Sequence, residues 1–393
     1  MKEKIAIVGA GPAGSSLAIR LAVRGFDVTL IERESFPRHK LCGEFISPEC
    51  FDHFAELGLL DEMISAGGDR VFETTFFSPS GRSVTVPSSF IGGESALSLS
   101  RAEMDLRLLK RAESVGVCVF ENAHASDLIM KETSAVGVGF RNREGETISV
   151  ESDILVDATG RAAALTRLLR KRTTDSAPRS ASKPSFVGFK THLRNVELEP
   201  GHCEIYFFKG GYIGITNIEG GLVNACFMVD ARSVREFKSN ADDIVRSLVL
   251  TNSRARKTLS AAKPVREWLA VPLGDYGRKE LNPAPGLYCV GDSAAFIDPF
   301  TGSGMLLALE SSELLCTAIT ENSRSSKEIA NQYARAHALH FNSRLRTAAL
   351  LRRAAFVPFL TGSAIRIAGG SMYLTELLAR LTRRRAVSAL SKR

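Results

Sequence analysis

At 393 residues the chain can bury a large core, as one unit or two intimately joined domains, and its 44% apolar, 24% charged composition excludes global disorder. No stretch reaches the uninterrupted apolar length of a membrane span, and seven scattered cysteines (Cys42, Cys50, Cys118, Cys203, Cys226, Cys289, Cys316) without a C-x-x-C pair argue against a disulfide framework or a zinc site. The net charge of +8 belongs to the tail, where 341–393 carries eleven Lys or Arg against one acid, Glu376; the body lacks the basic, aromatic-lined cleft of a nucleic-acid enzyme.

Along the chain, Lys4 to Val8 and Asp27 to Glu32 read as buried strands, with Leu17, Ala18, Leu21 and Ala22 forming a helical stripe between them. This opening reads as a strand and helix rather than a secretory leader, which places the protein in the cytoplasm. Gly9-Ala10-Gly11-Pro12-Ala13-Gly14 sits at the strand-to-helix junction. Gly9 permits the tight turn, Gly11 lets a pyrophosphate approach the backbone, and Gly14 allows close helix packing. The helix start offers free N–H groups to phosphate, and Glu32, followed by Arg33, is placed to accept hydrogen bonds from ribose hydroxyls. The pattern points to a dinucleotide site without choosing between NAD and FAD.

Next comes the segment "FPRHKLCGEFISPE", then a helix opened by the capping-box pair Ser100 and Glu103, with Met104, Leu108 and Ala112 on one face. Hairpin-like strands turning at "NREGE" lead to the apolar strand "SDILVDATG". "TTDSAPRSASKPS" reads as a loop or crossover, and "FVGFKTHL", "CEIYFFKGGYIGITNI" and "GLVNACFMVD" alternate as antiparallel strands do. The buried strand "GLYCVGD" returns the chain to "GDSAAFIDPFTGSGMLLALE", whose Gly291-Asp292, Pro299, Gly302 and Gly304 crowd an apolar run before a helix.

This second glycine-rich segment, paired with the first, resembles the superfamily of group A FAD-dependent monooxygenases, flavin-dependent halogenases and geranylgeranyl reductases, from the N-terminus to about Ile319. The resemblance implies FAD as cofactor, Asp292 on its ribityl chain, Pro299 ending the preceding turn, Gly304 permitting close approach of the ring, and Gly302 to Met305 bringing a helix N-terminus to the pyrimidine end. The alternative is a buried helix start with Asp292 as its cap. Arg101 matches an arginine that reaches FAD, against the alternative of a surface arginine at a helix start. Asp157 to Gly160 ("DATG") match the turn that closes over the cofactor, with Thr159 and Gly160 nearest it. Group A aromatic hydroxylases carry Ala-Asp-Gly there.

Pro37, Arg38, Lys40, Cys42 and Gly43 are similar to the P-R-x-K-x-C-G stretch of geranylgeranyl reductases, which lies beside the isoalloxazine. Glu44 replaces a glycine common in the prenyl reductases and resembles the Gly-Glu of halogenases. Cys42 and Glu44 are therefore candidate proton donors or relays, the alternative being a loop whose Arg38 and Lys40 balance phosphate charge. No W-x-W-x-I-P signature is present, which disfavours halogenation, and no histidine spacing assigns a metal; His337 and His340 read as a polar helix face.

The fold class that follows is α/β, with a Rossmann-like FAD-binding domain (1–72, 97–175, 285–330), an inserted antiparallel substrate sheet (73–96, 176–284) and a basic C-terminal helical region (331–393). The function implied is a monooxygenase that hydroxylates or epoxidises a small hydrophobic organic substrate through a flavin hydroperoxide. NAD(P)H, used directly or through an external reductase, is the electron source. The runner-up is a geranylgeranyl reductase-like C=C reductase, and a flavin-binding redox partner without turnover stands as a third class. The tail reads as a cap on the substrate cleft, with contact to an anionic membrane surface as the alternative.

Overall fold

The computed structural model describes residues 2–173, 184–322, 325–355, 365 and 370–381. The loop read at "TTDSAPRSASKPS" and the terminal arginines lie mostly outside these. Strand β1 (Lys4–Val8), helix α1 (Pro12–Val23), β2 (Asp27–Ile31), helix α2 (Arg101–Ser114), β3 (Cys118–Phe120), β4 (Ile154–Asp157), β5 (Phe186–Arg194), β6 (His202–Phe208), β7 (Gly211–Ile218), β8 (Leu222–Asp230), β9 (Leu287–Cys289) and helix α3 (Gly304–Asn322) carry the site.

A five-stranded parallel sheet runs in the order β9-β4-β1-β2-β3. Its strands are apolar on both faces because both are covered. Ile5, Ile7, Val28 and Leu30 face α1, α2 and α3, whereas Ala6, Val8, Ile31 and Leu155 face a three-stranded antiparallel sheet and the helix Ala164–Thr173. The "NREGE" turn joins two strands of that smaller sheet.

The second large sheet holds eight strands, with β5-β8-β7-β6 antiparallel at its centre. Glu73–Phe77 joins β6 in parallel, with Cys203 opposite Thr74, so the expected antiparallel sheet is a mixed one. That strand enters at the edge of β6, in the direction β6 already runs.

Two local readings are refined. Ser100 Oγ accepts from the Glu103 backbone N–H at 3.2 Å, as a cap should, but the reciprocal bond is not made by Glu103: Ser100 N–H donates to Glu219, just past β7, and Glu103 pairs with Arg107. The polar-face reading of His337 is overturned. Tyr333, His337 and Phe341 fall at helical spacing on one face of the helix Ser326–Ala355, all fully buried, and burial pushes the His337 imidazole down to about 3. Among the described residues no helix is long and apolar enough to cross a membrane.

Candidate functional site

The glycine motifs meet at the first turn of α1. Gly9 has φ +105°, and a Cβ there would stand 2.3 Å from the Ala158 carbonyl oxygen; at Gly14 it would stand 1.9 Å from the Gly9 oxygen. Gly291, with φ +59°, leaves only 2.8 Å between such an atom and the Ala13 methyl. The N-terminal fingerprint, the "DATG" turn and the second glycine segment are thus packed on one another at contacts that admit no side chain.

Around this junction the charges are paired in a chain. Glu32 accepts from the Ala10 N–H at 2.8 Å, which fixes its carboxylate at the end of β2. Arg38, buried, reaches Glu32, the Ala10 carbonyl and Asp105, and Arg101 grips the same Asp105 through two N–H groups at 2.8 and 2.7 Å. Arg33 and Lys40 both pair with Glu34 at the surface. The Asp157 carboxylate is occupied by Thr159 and Thr166, and the Ser293 hydroxyl sits between it, at 3.2 Å, and the Gly160 carbonyl, at 2.8 Å.

Asp292 lies in a turn at Gly291–Ser293, well before α3, so it is not the cap of that helix. Burial pushes its carboxyl up, against the pull of Arg161, Lys279 and Arg101. Asp298 caps the turn Pro299–Thr301, accepting from the Phe300 N–H at 2.9 Å, and Gly302 at φ +60° turns the chain into α3. Met305 is buried in the core beneath.

The loop holding Cys42, Gly43 and Glu44 lies between Arg101 and the eight-stranded sheet. The Arg101 guanidinium acts electrostatically on the Cys42 thiol, and the Glu44 N–H donates to that thiol at 3.3 Å. Glu44 has φ 54°, the left-handed region that a glycine adopts freely and a glutamate does not. What holds it there is its carboxylate: one oxygen accepts from Lys190 Nζ and the Arg101 N–H, the other from His192 Nε2 at 2.8 Å. All three side chains are buried. Burial alone would raise the Glu44 carboxyl, but the hydrogen bond from His192 and the Lys190 charge hold it below its ordinary range. His39 meets the His192 ring edge-on at 5.4 Å and is pushed down to about 4 by burial and by the Arg266 and Lys190 charges.

The FAD binding domain profile matches residues 2–345. The chain belongs to the FAD-binding domain family. Its relatives include the digeranylgeranylglycerophospholipid reductase of Methanosarcina mazei, 26% identical over 329 residues, covering 82% of this chain and 76% of the relative. The tryptophan 2-halogenase of Chondromyces crocatus is 28% identical, covering 86% of this chain and 65% of the halogenase. A geranylgeranyl bacteriochlorophyll reductase-like protein from Thermoplasma acidophilum superposes with a TM-score of 0.78, covering 97% of this chain and 96% of that one; at 19% identity it shows the fold.

The residues present fit FAD. A Cβ on Gly11 would meet only the Arg101 guanidinium, at 3.9 Å, and one on Gly304 would meet nothing within 4 Å: both backbones face open space, as close approach of a cofactor requires. No side chain caps α1, so its first amides remain for phosphate. Lys190 and His192 were not found in the sequence, although a signal was there: two polar residues two apart on an apolar strand share one face.

Proposed function

We propose that this FAD-binding protein is a monooxygenase acting on an electron-rich aromatic substrate, with NAD(P)H as electron source. The chemistry supplied by bound FAD is acceptance of two electrons and activation of oxygen. The observation that carries the reading is the cluster of aromatic rings packed on the Pro299–Thr301 turn. Phe207 and Tyr212 from the sheet and Phe76 beside them pack 5.4–6.0 Å from the Phe300 ring, apolar aromatic surroundings that favour a planar substrate nearby. Glu32, Arg101 and the α1 amides bind the adenine-nucleotide end. Gly302 to Met305 orient the ring, and the apolar surroundings exclude water from it.

The second reading, reduction of a carbon–carbon double bond, is favoured by the Cys42 thiol, which accepts from the Glu44 N–H in a loop held to the sheet by Asn224. The test is aerobic turnover under ¹⁸O₂ with NAD(P)H and a set of phenols and indoles, paired with anaerobic reoxidation of the reduced protein by enones and polyprenyl acceptors. Label in the product supports the monooxygenase. Anaerobic reoxidation by alkenes without any labelled product sinks it in favour of the reductase, for which Cys42→Ala then abolishes turnover.

A further inference from the structure

The sheet face that looks toward the Cys42 loop is organised in rows by its register. One row crosses His192 on β5, Asn224 on β8 and Thr216 on β7; the next crosses Lys190, Cys226 and Gly214; the third crosses Gly188, Met228 and Tyr212. Beside Lys190, whose charge is paired with Glu44, the second row is small: Gly214 has no side chain, and burial pushes the Cys226 thiol up to about 12. The third row reaches the aromatic cluster through Tyr212, which meets the Phe300 ring edge-on at 5.4 Å. Four residues along each strand separate first row from third, about 13 Å.

The first row is unusual in what it leaves unmade. His192, Asn224 and Thr216 are 2%, 0% and 1% exposed, yet His192 Nδ1, Asn224 Oδ1 and Thr216 Oγ1 have no hydrogen-bond partner among the described residues. Buried polar atoms are ordinarily paired, and three orphans side by side on one face call for a ligand. Their other ends are anchored: His192 Nε2 at Glu44, and Asn224 Nδ2 on the Cys42 carbonyl at 3.3 Å.

The anchors also decide what the row can accept. With Nε2–H given to the Glu44 carboxylate, Nδ1 is the His192 ring atom left for a ligand, and in the single-proton tautomer it is an acceptor. Asn224 Oδ1 is an acceptor, and the Thr216 hydroxyl serves as either. We infer that this row reads the polar end of the substrate, and that the substrate is a neutral aromatic molecule of one or two fused rings carrying an O–H or N–H donor, its body lying over Cys226 and Gly214. A carboxylate end would meet two acceptors and is disfavoured. The inference rests on the monooxygenase reading for the fate of the substrate, not for its binding.

The test titrates the oxidised FAD-loaded protein with 2-naphthol, 2-methoxynaphthalene and 2-naphthoate, followed by the flavin absorbance change and by calorimetry. The naphthol is expected to bind at least about tenfold more tightly than either analogue, since the row stays unpaired with the others. Thr216→Val, which removes only an orphaned hydroxyl, is expected to weaken naphthol about three- to tenfold while leaving the melting temperature unchanged or higher, and Thr216→Ser to restore binding. Three ligands that bind alike, none that binds, or a Thr216→Val protein that melts lower overturns the inference. Failure of the monooxygenase reading would look different: naphthol preferred in binding, with no ¹⁸O in any product.

Discussion

Lys190→Met removes one partner of a buried ion pair and leaves the Glu44 carboxylate in place. Glu44 is 0% and Lys190 1% exposed, so no water can replace the lost ammonium; the Arg101 N–H and His192 Nε2, each at 2.8 Å, still hold the carboxylate. Breaking such a pair costs about 3–5 kcal/mol. At an unfolding entropy of roughly 2.1 cal/mol/K per residue, 393 residues give about 0.8 kcal/mol per kelvin, so the melting temperature should fall by about 4–6 °C.

A double-mutant cycle sharpens this. Glu44→Gln alone strands the ammonium, whereas Lys190→Met with Glu44→Gln strands neither charge and should cost at least about 1 kcal/mol less than the sum of the singles. The pH dependence has a definite sign. Because the folded Glu44 carboxyl lies below its ordinary 4.5, its stabilisation is complete above that value and is lost as pH falls through the lower folded value. In Lys190→Met the folded value rises, and acid destabilisation starts at higher pH. Thermal scans across pH 3–8 read both effects, and strictly additive singles, or a Lys190→Met protein melting within about 1 °C of wild type, would refute the reasoning.

Gly14→Ala places a methyl 1.9 Å from the Gly9 oxygen, so the purified variant should retain no FAD after desalting, read from its absorbance near the flavin maximum. His337 is pushed down to about 3 in the folded protein, so the unfolded chain takes up a proton that the folded one refuses; stability should fall as pH drops below about 6.5, by up to about 1.4 kcal/mol per pH unit from this group. His337→Phe, which keeps an aromatic ring against Tyr333 and Phe341, should flatten the dependence of stability on pH over that range. Ser100→Ala loses the bond to the Glu103 N–H and should cost about 1 kcal/mol, a shift of about 1 °C, with no change in FAD content.

The packed glycine junction was legible in the sequence because its constraints are local. Gly9, Gly14 and Gly291 are demanded by backbone contacts that no side chain survives, and Glu32 lies at a fixed distance along the same βαβ unit, so the residues announce themselves as motifs. The alternation in "FVGFKTHL" likewise exposed a strand. What it could not expose was the partner of each face. Lys190 and His192 acquire meaning only from Glu44, 146 and 148 residues away, and Asn224 and Thr216 only from register with His192. Glu44 itself looked like a proton donor from its neighbours in sequence; tertiary packing surrounds it with three donors and makes it an anchored carboxylate. Hydrophobic patterning determines which side of a strand is buried, but the pairing of buried polar groups depends on which strands lie side by side, and only the folded sheet decides that.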